Sequence, residues 1–307
     1  MKETIMYYYN IDVDVLEEND GKYHFKYQNR DYFFVFYNRN LEELDDIITC
    51  VFNMKVKGIL VNDIIMNING SFLTSINGFN YILMSVVNPK EEFDIFDIVN
   101  IASKLHLNNN TSKLYRNNWG TLWMQKIDYF EYQIRELALN KPVVKDSFSY
   151  YIGLAENAIS YVNNINARFP NVSSAVVLAH RRVFYPNYKL NFFNPLSFIF
   201  DLEVRDVAEY LKAMFFAIDT EYEALEDLKS YLSIRSLSVY DASMLYARLL
   251  YPSYYFDIYE EVMNKERDEE DLVSVIKKAD LYEDFLKKAY LEIIKYAMIE
   301  KIDWLIN

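Results

Sequence analysis

Val176-Val177-Leu178-Ala179-His180-Arg181-Arg182-Val183-Phe184-Tyr185-Pro186-Asn187, then Phe193-Asn194-Pro195, then Asp201-Leu202-Glu203-Val204-Arg205-Asp206-Val207-Ala208 is the stretch that decides how this chain is read. Val176 to Tyr188 and Leu190 to Phe200 are apolar and aromatic and are bounded by Pro and Asn. They read as a strand–loop–strand insertion. What surrounds them is helical by period. Asp97 to Leu107, Leu122 to Leu139, Tyr150 to Asn163 and Val204 to Ala217 place apolar residues at 3.6-residue spacing. So do Glu221 to Tyr231, Tyr240 to Leu250, Leu272 to Lys278 and Leu281 to Ile306. The charged run Asn264 to Asp271 reads as a solvated linker.

The chain before Val87-Asn88-Pro89 has a different pattern. Lys22 to Arg30 alternates aromatic and polar residues, Asp31 to Tyr37 is a continuous apolar run, and Gln-Asn-Arg-Asp between them supplies a hairpin turn. Leu41 to Lys55 then has helical spacing, with Glu42, Glu43, Asp45 and Asp46 in its first turn. Asp63 to Ile68, Ser71 to Ile76 and Tyr81 to Val87 read as further strands, with Asn69-Gly70 and Asn77-Gly78 as tight turns. The expected organisation is a sheet of about five strands with one helix over residues 1–88, hinged to a mainly helical region over residues 89–307.

Composition narrows the function. The 307 residues are 52% hydrophobic and 25% charged, enough to fill a core. Only 6 Gly leave little material for a phosphate-cradling loop. Net charge is 32 − 45 = −13, which repels phosphate backbones and speaks against a nucleic-acid partner. One cysteine, Cys50, excludes an intrachain disulfide framework and any multi-cysteine zinc site, and reads as buried and inert. His24, His106 and His180 are scattered, so no histidine-rich metal centre is expected. The N-terminus is too polar for a signal peptide, and no apolar run reaches the ~18 residues of a membrane helix.

A small sheet lobe, a hinge and a large helical lobe is the plan of kinase-like phosphotransferases. Aminoglycoside and choline phosphotransferases carry H-G-D-x-x-x-x-N, then a short strand ending in a magnesium-binding Asp, then a D-L-A that opens a helix. The stretch quoted first resembles that series. Asp201 to Ala208 is similar to the V-R-D-L-A of the kinase-like spore coat proteins, relatives of spore coat protein S in endospore-forming bacteria. Ile101 to His106, Trp119 to Trp123 with Lys126 to Glu131, and Tyr246 to Pro252 also resemble that family, and the likeness covers roughly residues 20 to 300. The fold it implies is α+β: a protein-kinase-like two-lobe fold of the aminoglycoside phosphotransferase type. A small N-terminal antiparallel sheet lobe is joined there to a large helical C-terminal lobe.

The same resemblance implies a degenerate site. Phosphoryl transfer needs an Asp to orient the hydroxyl, Asp and Asn to hold Mg²⁺, and a Lys on the phosphates. In the H-G-D frame the base falls at Arg182, which cannot accept a proton. The magnesium Asp falls at Asn194, a weak ligand for a hard cation. Asn187 alone keeps its letter. Asp31 to Arg39 contains no lysine; Arg39 lies past the strand, and Glu42 or Glu43 needs no pairing role as a first-turn carboxylate. Glu17-Glu18-Asn19-Asp20-Gly21 stands where the glycine loop belongs and would repel a triphosphate.

His180 reads as a structural histidine bonded to backbone, with no carboxylate partner set by the sequence, and Asp206 as a cap and anchor for the loop. Trp119, Trp123 and Tyr129 read as core. Arg181 and Arg182 suit an anion or nearby acids; Asp201, Asp206 and the acids of Glu17 to Asp20 are the candidate partners of Arg182. The leading expectation is a catalytically inactive, kinase-like structural or assembly component of the endospore coat. It would be made in the mother-cell cytoplasm and partnered by other coat proteins, with no cofactor or metal. The alternatives are an active small-molecule phosphotransferase and a ligand-binding pseudokinase.

Overall fold

The computed structural model describes residues 1–19, 21–87, 94–106, 112–137, 140–172, 174–183, 192–217 and 221–306. Asp20, Pro89 and Asn187, each named above, lie outside them. The chain divides into two compact units. The first holds Met1–Phe93, Asn108–Tyr115 and Asn187–Ile199; the second holds Asp94–Leu107, Arg116–Pro186 and Phe200–Asn307. The sequence reading makes a single cut at 88/89, whereas this division returns two later stretches to the first unit.

The first unit is an antiparallel sheet of six strands: β1 (Glu17–Asn19), β2 (Lys22–Tyr27), β3 (Arg30–Phe36), β4 (Asp63–Ile65), β5 (Thr74–Ile76) and β6 (Phe79–Ser85). Their order is β1-β2-β3-β6-β4, with β5 also paired to β6. Gln28 and Asn29 take φ of 47° and 60°, and Asn77 and Gly78 take 51° and 83°. Such left-handed pairs make two-residue hairpin turns whose twist matches the strands. Asn69-Gly70 does turn the chain, with Gly70 N–H bonded to Asn67 O at 2.9 Å. It does not join a hairpin, because β4 and β5 both pair with β6 instead of with each other.

Phe25, Phe34 and Leu83 on one sheet face pack with Ile5, Tyr9, Ile11 and Val13. Ile5 and Tyr9 belong to α1 (Lys2–Tyr9), a helix absent from the sequence reading, which stops at Asn10 in the left-handed conformation. Helix α2 (Leu44–Val56) carries Asp45 and Asp46 in its first turn and buries Ile47, Cys50, Val51 and Met54.

The second unit is mostly helical. It contains α3 (Ile95–Lys104), α4 (Trp119–Leu137), α5 (Pro142–Arg168), α6 (Val204–Ala217), α7 (Glu221–Ile234), α8 (Val239–Leu250), α9 (Ser253–Met263), α10 (Asp271–Ile276) and α11 (Ala279–Ile293). Strand β7 (Val176–His180) pairs with β8 (Phe198–Leu202), whose last three residues belong to this unit. Every residue from Ala242 to Leu250 is buried, so α8 is the central helix, packed against α5 and α6. The C-terminal helix ends at Ile293, not at Ile306; past it the chain makes turns. Among the described residues no helix is long and apolar enough to cross a membrane.

Candidate functional site

Helix α6 opens with Val204-Arg205-Asp206 and buries almost every residue to Leu211, including Arg205, Asp206 and Glu209, with Lys212 next. Charged groups on a helix buried on all sides must find partners inside the protein. They find them at the end of β7. Asp206 Oδ1 accepts the backbone N–H of His180 at 2.9 Å, and Oδ2 stands 2.5 Å from His180 Nδ1. Arg205 Nε donates to His180 O at 2.9 Å and Nη2 to Arg181 O at 3.1 Å. Two adjacent residues thus hold both the donor and the acceptors of one turn of main chain. His180 is 1% exposed. Its carboxylate partner comes from 26 residues away, which the sequence reading leaves unassigned.

Asp201, fully buried on β8, accepts from Trp119 Nε1 (2.9 and 3.0 Å), Leu202 N–H (2.7 Å) and Arg205 Nη1 (2.6 Å). Burial pushes its carboxyl pKa up, against the pull of Arg205, Arg248 and the Trp119 bond. Glu209 is held well below the usual range: its burial is outweighed by Lys212, Arg248, Arg182 and Arg205. Lys212 Nζ donates to Glu209 Oε1 (2.9 Å), Arg248 O (3.0 Å) and Ser253 Oγ (2.6 Å). Burial nevertheless brings the Lys212 pKa down to about 8. Arg248 Nε meets Glu209 at 2.7 Å, and its guanidinium lies over Trp119 and Trp123 at 5.1 and 5.4 Å.

Arg182, which the sequence resemblance sets at the base, forms a two-pronged pair with Asp257 of α9. Nη2 donates to Oδ1 at 2.6 Å, and Nε donates to Oδ2. Each side chain is about a quarter exposed, at 26% and 23%. Burial disfavours the charged guanidinium, but Asp257 reverses this and raises its pKa. The partner is therefore Asp257 and not Asp201 or Asp206, which Arg205 and the His180 turn already occupy. Trp119 and Trp123 are core as expected, whereas Tyr129 is 54% exposed. Arg182, Arg205, Lys212 and Arg248 thus face Asp201, Asp206, Glu209 and Asp257, cations and carboxylates in equal number.

The first unit holds the other positions. Asn194 Oδ1 accepts Leu196 N–H at 3.0 Å and caps a short turn over Pro195–Ser197. Strand β3 contains no lysine. Arg39, 8% exposed, donates Nε to Glu43 at 2.7 Å and Nη1 to Leu196 O and Phe198 O at 3.0 and 2.6 Å. Glu43 therefore has a partner, contrary to its reading as a plain first-turn acid. In place of a glycine loop stands the hairpin of β1 and β2, whose register pairs Asn19 with Lys22 and leaves two residues between them. Cys50 is buried, and burial pushes its thiol up to about 12. Among the described residues no three His, Cys, Asp or Glu side chains come together as a metal site. This donor set does not fit a magnesium nucleotide: Asn194 is spent as a cap, and Asp201, Asp206, Glu209 and Asp257 are each engaged by a cation, a ring N–H or a main-chain N–H.

Solved phosphotransferases share this fold. An aminoglycoside phosphotransferase from Alicyclobacillus acidocaldarius superposes with a TM-score of 0.64 at 9% identity, covering 92% of this chain and 93% of that one. Spectinomycin phosphotransferase gives 0.59 at 12% identity over 94% and 96%. Identities so low speak to architecture alone. Endospore coat-associated protein YutH of Bacillus subtilis (strain 168) is 31% identical over 189 residues, which are 56% of this chain and 55% of that protein. The chain thus spans about half the length of this curated relative. The profile of the family described as "Spore coat putative kinase YutH" matches residues 2–289, nearly the whole fold just described, and the chain belongs to that family.

Proposed function

We propose that this chain is a kinase-like protein of the endospore coat that transfers no phosphoryl group and acts as a structural or assembly component among other coat proteins. The observation that carries the reading is the Arg182–Asp257 pair. A guanidinium stands where a base must accept a proton, and it is held there by a carboxylate. The lysine-free β3 and the use of Arg39 on Glu43 and two carbonyls support it from the first unit. Family membership, and the likeness to an endospore coat-associated protein, supply the location. The test is thermal unfolding with and without ATP and Mg²⁺, beside a hydrolysis assay. A ligand at 100 times its Kd stabilises by ~2.7 kcal/mol, roughly 5 °C for a domain of this size. The expected result is no shift and no turnover above blank. A saturable shift would make the chain a nucleotide-binding pseudokinase, and turnover of an alcohol would make it an enzyme.

A further inference from the structure

We infer that the groove between α4 and α5 seats a lysine-bearing segment of a partner polypeptide. The groove has a volume of 420 Å³ and is lined by Met124, Ile127, Asp128, Glu156, Ile159, Ser160, Asn163 and Asn164. Ligand pockets run from about 300 to 1,000 Å³, so this one takes one or two side chains and not a folded domain. Its walls divide by chemistry. Met124, 48% exposed, and the half-buried Ile159 offer an apolar track for an alkyl stem, while the lining residue Ile127 is itself buried. A methionine there adapts its shape to what it covers. Asp128 and Glu156 supply the charge, and Ser160, Asn163 and Asn164 supply donors and acceptors for an extended backbone.

The charge is uncompensated. No lysine or arginine lines the groove, and neither Asp128 nor Glu156 has an ion-pair partner among the described residues. Cations on the two helices are held by other acids: on α4 Lys126 pairs with Glu260 at 2.7 Å and Arg135 with Glu131 at 3.3 Å, and on α5 Arg168 pairs with Glu300 at 2.7 Å. Gly120 of α4 faces Asn163, one of the lining residues. A Cβ there would stand 2.4 Å from Asn163 Oδ1, so the Asn163 carboxamide lies close against α4 at this glycine. A long stem with a cationic head matches apolar walls plus two open carboxylates better than any anion or neutral chain does. The whole chain carries −13, which repels acidic partners and attracts basic ones.

The inference rests on the reading of this chain as an assembly component and names the chemistry of its partner. The probe is a fluorescein-labelled dodecapeptide of alternating lysine and alanine, followed by anisotropy at physiological salt. The comparison is between Asp128→Asn/Glu156→Gln and a control of equal charge change on the exposed 264–270 loop, Glu266→Gln/Asp268→Asn. The groove pair should weaken binding at least about tenfold and the control less than about twofold. Carbodiimide coupling of the bound peptide should place its adduct on Asp128 or Glu156. Equal losses in both variants, no loss in the groove variant, no binding at all, or adducts confined to other acids would each overturn the inference. Those failures leave the ATP result untouched, and an ATP-dependent shift leaves the peptide result untouched, so the two readings fall separately.

Discussion

Arg182→Asp puts back the letter of the phosphotransferase motif, and we expect it to cost stability and return no activity. Two opposite charges ~4 Å apart interact by about 4 kcal/mol at an effective dielectric of 20. The pair with Asp257 is about a quarter exposed, at 26% and 23%, so solvent screening removes a good part of that. Losing the pair alone, as in Arg182→Ala, should cost about 1–2 kcal/mol. Arg182→Asp adds a second carboxylate facing Asp257, and brings it into the negative field of Glu209 that Arg182 now feels. The total should be about 2–4 kcal/mol. Urea denaturation followed by circular dichroism measures it, with Asp257→Arg added to complete a charge swap. The order of stability should be parent, Arg182→Ala, Arg182→Asp, with the swap recovering about half the loss or more. An Arg182→Asp protein within ~0.5 kcal/mol of the parent, the usual range for inert surface changes, would refute the reasoning. So would a swap that recovers nothing. Phosphotransfer from Arg182→Asp would also refute it, because β3 would still lack its lysine.

Two further perturbations test the first unit. Arg39→Met strands Glu43 and two carbonyls in a site where the Arg39 side chain is 1% exposed, and should cost about 3–5 kcal/mol by urea denaturation. Arg39→Met/Glu43→Leu should be less destabilised than the single variant, since a buried pair replaced whole by apolar groups leaves no unpaired charge. His24 bridges Glu17 and Asp31 at 3.0 and 2.8 Å; burial alone lowers its pKa, but the bonds and charges of the two acids win and raise it above 6.5. With the folded value above the unfolded one, its stabilisation is full below about pH 6.5 and fades as pH climbs through the raised value. His24→Phe should lack that pH-dependent increment in thermal melts, and an imidazole NMR titration at or below 6.5 would contradict the bridge.

The sheet was readable where turns and alternation agree. Gln28-Asn29 and Asn77-Gly78 announce their hairpins, and the acidic first turn announces α2. Elsewhere tertiary packing overrode local preference. Tyr7-Tyr8-Tyr9 favours strand by composition, yet Ile5 and Tyr9 become helical, four residues apart on one helix face, and pack in one core with Phe25 and Phe34. Likewise the sequence reading assigns no element between Leu250 and Asn264, and the structure makes Ser253–Met263 the helix α9, with Tyr255, Phe256 and Tyr259 fully buried. Missing that helix hid Asp257, 75 residues from Arg182 in sequence, and no local pattern links the two. The anchoring half of the site did have a signal. Arg205, Asp206, Glu209 and Lys212 interrupt an otherwise apolar helix, and ionisable residues there imply partners in the interior.

Those four residues also argue about what the site is for. A buried ion pair contributes little to stability compared with apolar residues of the same shape, so stability alone does not explain four buried charged residues within eight positions of α6. Their geometry supplies another account. Asp206 and Arg205 take the N–H and the carbonyls of His180 and Arg181, and Glu209 with Lys212 ties Arg248, Ser253 and the end of α8 to the same helix. The turn after β7 is therefore set by main-chain bonds that demand one position, which apolar packing does not. A magnesium nucleotide brings further anionic charge and needs free carboxylates and free cations at once. Around α6, Arg182, Arg205, Lys212 and Arg248 are each already paired with Asp257, Asp201 or Glu209, so admitting the nucleotide there means breaking pairs already closed. The clamp that would orient a catalytic loop serves, in the proposed reading, to keep the helical lobe rigid.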